Sequence, residues 1–478
     1  MVLMRRRTFS KLRRVTSPLF LQNTLSRTRE ELVPRQPGTV SLYVCGVTPY
    51  DALHIGHARA FMAYDILRRV LESRGLSVQH IQNVTDVEDK IINRAKESGE
   101  EPLVLAKRFS DEALEDTRAL NILPAHQYPR VSDNIIPILD LIRGLEDKGF
   151  AYAKGGDVYF DVSKDLDYGK LSGQKPEELE SGARIEVDEL KDDPLDFALW
   201  KGAKPNEPSW SSPYGNGRPG WHIECSAMAL NILGPGFDIH GGARELVFPH
   251  HENEVAQSES YLGEGETFAK VWWHCGELRV EGRKMSKSLG NFLTVRDALK
   301  LADANVWRLL FLMTHPRSPL DYSPKKLQEA QSAWARLENA LLEHDSTRIE
   351  YSNGAGSDAA RAFQTQFDAA LSDDLNTPEA IAAVFDAVGE WNRTHDQQVA
   401  QAARRALEML GFTFQEKEIG DALTPKLLDV LINVRNEARE RRDWKTGDNV
   451  RDELKTLGVV LEDTPDGTKW KIERGATV

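Results

Sequence analysis

Residues 40–57 constrain this chain most. Val40, Leu42 and Val44 alternate as one face of a strand, and the pattern breaks at Cys45-Gly46. A second break, His54-Ile55-Gly56-His57, runs straight into a helical pattern. A strand, a glycine turn and a helix N-terminus form a cradle for anionic phosphate, because the N–H groups at a helix start are free and its dipole favours negative charge. Over residues 57–74, Phe61, Met62, Ile66, Leu67, Val70 and Leu71 fall on one side, and Gly75 supplies the stop. A strand pattern over Val78–Val84 follows. Strand, helix and strand make a βαβ unit, which implies a parallel sheet with ligands beyond the carboxyl ends of its strands, where Cys45 and His54 fall.

Further along, a helix over Ile135–Leu145 leads to an alternating strand after Gly155-Gly156, which reads as an insertion with its own small sheet. Residues 204–220 are rich in proline and glycine. Parallel-sheet character then returns: a helix from Trp221, a strand near Phe237–His240, Gly241-Gly242, and a helix from Pro249. A charged amphipathic helix covers 324–345, and Tyr351–Ser357 has linker composition. The remainder is helical and closes on two short strands around Pro465-Asp466-Gly467.

Composition excludes some classes. No run of apolar residues reaches the ~18 of a membrane span. The net charge of −13 leaves no general basic field, so nucleic-acid contacts must come from local patches. Three distant cysteines, Cys45, Cys225 and Cys275, argue for a reducing compartment with thiols used for metal or chemistry. The first 29 residues hold eight Lys/Arg and no acid, and read either as a loose basic tail or as an organelle transit segment.

Three constellations carry chemistry. His54 and His57, three apart at a helix entry, can both face phosphates, and Gly56 lets a flat base or ribose approach the backbone. In Gly282-Arg283-Lys284-Met285-Ser286-Lys287-Ser288-Leu289-Gly290, flanking glycines suit a mobile loop and Lys284 and Lys287 offer point charges to a triphosphate. His250 and Glu254 lie one helical turn apart, as do Trp221 and Cys225. With Cys45 these offer two thiolates, an imidazole and a carboxylate, a zinc-type set. His222 and His251 compete for the same role, buried cysteine as a small apolar residue is the alternative, and Cys275 reads as structural.

The first two motifs together resemble the signature of class I aminoacyl-tRNA synthetases. More specifically, the chain resembles cysteinyl-tRNA synthetases from about residue 18 to about residue 473. The matching stretches are Cys45-Gly46, His54–His57, Asn83-Val84-Thr85-Asp86, Gly220–Met228, Phe248–Glu254 and Lys284–Ser288. The resemblance implies an α/β fold: a Rossmann-type parallel-sheet catalytic domain with an inserted subdomain, then a helical tRNA-binding domain and a small mixed α/β C-terminal tip. The boundaries expected are a basic extension (1–17), the two Rossmann halves (18–130 and 211–320) around the insertion (131–210), a stem-contact helical region (321–350), a helical bundle (351–415) and an anticodon-recognition domain (416–478).

It also implies one Zn²⁺ on Cys45, Cys225, His250 and Glu254, and an amino-acid pocket lined by Thr48, Thr85 and Trp221. His54, His57, Lys284 and Lys287 would carry the catalysis on ATP and Mg²⁺, with Gly56, Gly241, Gly242 and Lys287 contacting the nucleotide. Arg439, Asp448 and Asp463 would read the anticodon of tRNA(Cys), with Trp444 and Trp470 offering faces for stacking. The expected reaction joins L-cysteine to tRNA through cysteinyl-adenylate, in a cytoplasmic monomer; no membrane partner is expected.

Two positions depart from the family pattern. Cys45-Gly46-Val47-Thr48-Pro49-Tyr50-Asp51 is closer to a paralogous ligase that joins cysteine to an aminosugar on the way to mycothiol. Gly241-Gly242-Ala243-Arg244-Glu245-Leu246 carries glutamate where the family has aspartate. The retained C-terminal tip, with Arg439, Asp448 and the closing hairpin, favours the synthetase over that ligase, and intact His54–His57, Lys284–Ser288 and the metal-donor set favour it over a non-catalytic RNA-binding descendant.

Overall fold

The computed structural model describes residues 17–175, 190–205, 207–285, 291–344, 356–414, 423–464 and 467–472. The basic extension through residue 16, Ser286–Gly290 with Lys287, most of the 351–357 linker and the Pro465-Asp466 turn lie outside the described residues.

Four parallel strands form the central sheet: β1 (Thr39–Val47), β2 (Ser77–Val84), β3 (Phe237–Ala243) and β4 (Ala269–Cys275). Their spatial order is β4-β3-β1-β2. The chain therefore steps outward from β1 to β2 and later restarts on the other side of β1, so the strand order reverses between β1 and β3. A crevice at such a reversal, beyond the carboxyl ends, is where open parallel sheets take ligands. Val40, Ser41, Leu42, Tyr43 and Val44 are all buried, so β1 is covered on both faces and not on the single face its alternation suggested. Helix α1 (Ile55–Ser73) packs against β2 and β3, and α2 (Trp221–Leu233) against β1.

Between the two halves of the sheet sits a four-stranded antiparallel sheet of Ala151–Lys154, Asp157–Phe160, Phe197–Gly202 and Gly217–Pro219. Helix α3 begins at Glu252 and ends at Leu262, later than the start expected at Pro249. Residues 247–251 form a wider turn, interrupted by extended Phe248 (φ −136°, ψ 133°). A residue before proline is pushed out of helical φ/ψ, which accounts for the delay.

After β4 the chain forms β5 (Leu278–Val280) and β6 (Arg283–Lys284), with β7 (Leu320–Tyr322) parallel to β5. Glu281 and Gly282 both have positive φ (50° and 75°), as a two-residue hairpin turn requires. Gly282 thus closes a tight turn and does not act as a loop hinge. The helices Pro324–Leu341, Asp358–Ser372, Thr377–Thr394 and Gln397–Met409 follow. Buried Arg308 joins this helical part to α1: its guanidinium donates to Asp65 Oδ2 at 2.8 Å and to the Leu410 carbonyl at 2.9 Å. A buried charge is tolerated only with such partners on every side.

The chain divides into two compact units, Met1–Thr413 and Phe414–Val478. The second contains helices Leu423–Glu440 and Trp444–Thr456 and a hairpin of Val459–Thr464 with Gly467–Ile472. Leu428, Leu454 and Val459 form its small core, with Trp470 packed against them.

Candidate active site and metal centre

Cys45 stands at the carboxyl end of β1, Cys225 inside α2, His250 on the turn before α3 and Glu254 in the first turn of α3. All four are buried, and their donor atoms lie within 4.8 Å of one another. Cys45 Sγ is 3.8 Å from Cys225 Sγ, 3.6 Å from His250 Nε2 and 3.5 Å from Glu254 Oε1. His250 Nε2 is 3.0 Å from Glu254 Oε1. The two sulfurs are too far apart for a disulfide, whose S–S bond is about 2.05 Å.

A second group of buried donors, Cys45, His240, His251 and Glu254, shares two members with the first. The histidines of this group are already engaged. His240 Nε2 lies 2.8 Å from Glu254 Oε2, the oxygen that faces away from the two cysteines' group. His251 Nε2 lies 3.2 Å from Cys45 Sγ, and its Nδ1 lies 2.7 Å from His274 Nε2. His240 and His251 thus contact Glu254 and Cys45, and both groups of donors stand as candidates to hold an ion. His222, the other competitor, has its Nδ1 3.0 Å from His250 Nδ1 and supports that ring from behind. Neither His240 nor His274 stood out in the sequence; the available signal was that both occur near carboxyl ends of strands in one parallel sheet.

Protonation follows from this packing. Burial disfavours the charged form of Glu254, but His240 and His250 outweigh it and hold the carboxyl well below its ordinary range. Burial likewise opposes a charge on His250, yet Glu254 and the Cys225 thiolate raise it to about 10. The hydrogen bond from Cys45 lowers Cys225 to about 6, while burial and the Cys225 charge push Cys45 well up. Near pH 7.5 the metal-free group holds one thiolate, one thiol, an imidazolium and a carboxylate. A metal held by Cys45, Cys225, His250 and Glu254 would then expel two protons, from Cys45 and His250. Calorimetric titration of zinc into metal-free protein in buffers of different ionisation enthalpy is expected to show release of about two protons. Affinity is expected to rise about 100-fold per pH unit near neutrality.

Trp221, one turn before Cys225, stacks on His250 with ring centroids 4.3 Å apart and keeps 37% of its surface exposed. Thr85 follows β2 and is buried; its N–H donates to the Val47 carbonyl, and its hydroxyl accepts from Asn83. Thr48 lies with Pro49, Tyr50 and both motif histidines on the wall of a cavity of about 400 Å³, closed by Phe109, Met285 and Phe292.

His54 is the N-cap of α1. Its Nδ1 accepts from the backbone N–H groups of Gly56 (3.1 Å) and His57 (3.4 Å), while His57 Nδ1 accepts from the His54 N–H at 3.4 Å. The two histidines form a reciprocal capping box. Because both Nδ1 atoms accept, both ring protons are placed on Nε2. Burial lowers His54 to about 4; burial and the neighbouring His54 lower His57 to about 3. Both rings are therefore neutral Nε2–H donors at pH 7. They stack with centroids 3.7 Å apart. A Cβ on Gly56 would come within 2.9 Å of the His54 ring, so this glycine makes room for the cap itself.

Gly241 and Gly242, at the carboxyl end of β3, are closed off on one side by protein. A Cβ there would meet the Tyr64 ring at 2.3 Å and the His251 ring at 2.6 Å respectively. Glu245 is exposed on the short turn that follows. Lys284 occupies β6, and Lys287 lies outside the described residues. Cys275 is buried against the Gly242 carbonyl, and burial pushes its thiol up to about 12. In the second unit, Arg439 Nη1 lies 2.6 Å from Asp463 Oδ2, and Arg435, which sequence reasoning missed, binds both oxygens of Asp463 at 2.9 and 2.8 Å. Arg435 foremost, with Thr468 and Arg439, holds Asp463 well below the usual carboxylate range. Asp448 pairs with Arg451 at 3.2 Å.

A Rossmann-type parallel sheet with the His-x-Gly-His cap beside its switch point is the fold of a class I aminoacyl-tRNA synthetase. The family described as tRNA synthetases class I (C) catalytic domain matches residues 31–332, the DALR domain matches 366–415, and the cysteinyl-tRNA ligase anticodon binding domain matches 423–470. A cysteine–tRNA ligase of Moorella thermoacetica is 46% identical over 95% of this chain and 100% of its own length. One from Thermococcus onnurineus is 46% identical over 94% and 98%. Among solved structures, Mycobacterium tuberculosis methionyl-tRNA synthetase in complex with methionyl-adenylate shares the fold, with TM-score 0.58 at 16% identity over 82% of this chain and 94% of that one. The chain belongs to the cysteine–tRNA ligase family. Among the described residues no helix is long and apolar enough to cross a membrane.

Proposed function

We propose that this enzyme selects L-cysteine on a zinc ion held by Cys45, Cys225, His250 and Glu254, activates it with ATP as cysteinyl-adenylate, and transfers it to the terminal adenosine of tRNA(Cys). The observation that carries this reading is the spacing of the four donors. A tetrahedral ion at ordinary zinc bond lengths separates two sulfurs by about 3.8 Å, and a sulfur from a nitrogen or oxygen by about 3.6 Å. The separations measured from Cys45 are 3.8, 3.6 and 3.5 Å. Zinc bound there supplies a soft electrophile that takes a substrate thiol as thiolate and leaves a serine hydroxyl poorly held. Trp221 and Thr85 would line the amino-acid pocket, and Thr48 would close its far side.

His54 and His57 would present their Nε2–H groups to the phosphates of ATP as neutral donors, and those bonds would strengthen as negative charge shifts onto the oxygens. Lys284 and Lys287 would add point charges to the same phosphates, with Mg²⁺ arriving on the nucleotide; Gly241 and Gly242 would contact it through their open sides. No side-chain nucleophile is needed, because the cysteine carboxylate attacks and positioning does the rest. Arg439, Asp448 and Asp463 would read the anticodon, all three after giving up their present ion pairs. The matched anticodon binding domain at 423–470 supports tRNA, and not an aminosugar, as the acceptor. The proposed domain boundaries are those set out from the sequence, and the proposed state is a monomer.

The reading is tested by cysteine-dependent exchange of pyrophosphate into ATP without tRNA, followed by charging of tRNA(Cys). Absence of exchange in zinc-loaded enzyme removes it; exchange with charging of an aminosugar in place of tRNA removes its second half. A narrower test separates the two jobs of His54. Asparagine is a good N-cap, so His54→Asn is expected to melt close to wild type while losing exchange about 100-fold, and His54→Ala to lose about 1 kcal/mol of stability as well.

A further inference from the structure

We infer that Arg59 is a positioning residue that sets the lysine-bearing hairpin against the two motif histidines. The inference rests on the proposed role of His54, His57 and Lys284 in handling ATP. Arg59 lies on α1 two residues after His57 and is only 4% exposed. Its Nη1 donates to the carbonyls of Gly276 (2.7 Å) and Glu277 (2.6 Å), and its Nη2 to those of His315 (3.5 Å) and Ser318. All four acceptors are backbone carbonyls on two segments that meet beneath the hairpin.

Those segments carry the second motif. Gly276 and Glu277 join β4 to β5, and β5 turns through Glu281-Gly282 into β6, where Lys284 sits. His315 and Ser318 lead into β7, which backs β5. The approach is close: a Cβ on Gly276 would come within 2.2 Å of the Ser318 carbonyl oxygen. The other end of the lysine segment is also tied to the histidine motif. The Ile55 N–H donates to the Leu293 carbonyl (3.1 Å), and the Val295 N–H to the Leu53 carbonyl (2.8 Å). The lysine segment therefore stands with both feet on α1. The downstream foot is backbone pairing, and at the upstream foot the fork of Arg59 reaches both segments.

A guanidinium suits this place because its donors are fixed in a planar fork; an ammonium concentrates its donors at one point and cannot span two segments. Without it, the carbonyls of Gly276 and Ser318 lose this donor, and the two segments, still joined to each other through Gly276 N–H to the Pro316 carbonyl and Leu320 N–H to the Glu277 carbonyl, lose their side-chain tie to α1. A shift of about 1 Å in a group that must meet a phosphate costs about 100-fold in rate. Arg59 is buried with its guanidinium on backbone carbonyls, so its effect would pass through Lys284.

The test uses full-length zinc-loaded enzyme and cysteine-dependent pyrophosphate exchange. Arg59→Met is expected to lower kcat about 30- to 100-fold at saturating ATP and cysteine, with zinc content and KM for cysteine unchanged. Combined with Lys284→Ala, its further effect is expected to fall well short of that factor, since the hairpin's position matters through the lysine it carries. A wild-type kcat in Arg59→Met, or a double variant showing the full product of the two losses, overturns the assignment. If circular dichroism shows Arg59→Met unfolded, Arg59→Lys is read by the same criteria, with a loss of about 5-fold expected and a wild-type kcat overturning it. Lack of exchange in the unsubstituted enzyme would remove the proposed function itself, a result distinct from normal exchange in both Arg59 variants.

Discussion

Replacing Cys225 by serine is expected to abolish zinc retention and lower cysteine-dependent pyrophosphate exchange by about 1,000-fold or more, with the fold intact. Serine matches cysteine in shape, so α2 has no cavity to fill and its buried packing is preserved. The loss is chemical. Cys225 is the thiol poised lowest, at about 6, because Cys45 donates to it and His250 stands beside it. An alcohol there remains protonated near neutrality and offers a hard, weak ligand. Three donors remain, but His250 and Glu254 then lie 3.0 Å apart as a closed ion pair with no thiolate competing for the imidazolium. Metal per chain, measured by plasma emission after dialysis, and exchange kinetics with cysteine and serine in parallel, check the result. Discrimination between these two amino acids is expected to shrink together with metal content. Stoichiometric zinc in the variant, with unchanged kcat/KM for cysteine, would remove Cys225 from the metal site.

Removing residues 414–478 is expected to separate the two half-reactions. The cut falls between the two compact units, so the sheet, the donor group and the histidine cap all stay on one piece. Exchange of pyrophosphate is expected to stay within about 3-fold of the full chain. The kcat/KM for tRNA(Cys) is expected to fall about 100-fold or more, since each lost base contact is worth about 1–3 kcal/mol and several are removed together. Within the lost unit, Arg435 holds Asp463 in a two-point grip and Arg439 shares it. Charging by the truncated enzyme at the full-length rate would show that no recognition of tRNA depends on this unit.

Much of the site was legible as local pattern. The His54–His57 turn announces itself because capping, helix start and phosphate affinity are properties of neighbouring residues. The strand–helix–strand unit was legible for the same reason: its periodicities are local. Pro249 misled, because helical spacing suggested a helix start there, while the restriction proline places on Phe248 delays the regular helix to Glu252. Gly241 and Gly242 suggested a nucleotide contact, but part of their requirement is the Tyr64 and His251 rings pressed against them. That demand comes from residues distant in the chain and has no sequence signature.

Sequence alone marked the elements and the candidate chemistry: which stretches are strands, which turn offers free N–H groups at a helix start, and which residue types are able to ligate a metal. Only the tertiary structure decided which of them meet. Cys45 reaches its donor partners across separations of 180, 205 and 209 residues, and spacing in the sequence does not say which of His222, His250 and His251 will face it. The parallel sheet brings the carboxyl ends of β1 and β3 side by side at the reversal of strand order, with α2 and α3 packed over them, so that His250 and His251 both come within reach of Cys45. His251 also reaches His274, His222 stands behind His250, and Arg59 falls beneath the hairpin. Long-range packing decides these roles because a side chain's partners depend on where its backbone is carried, and residue type limits only the chemistry it brings.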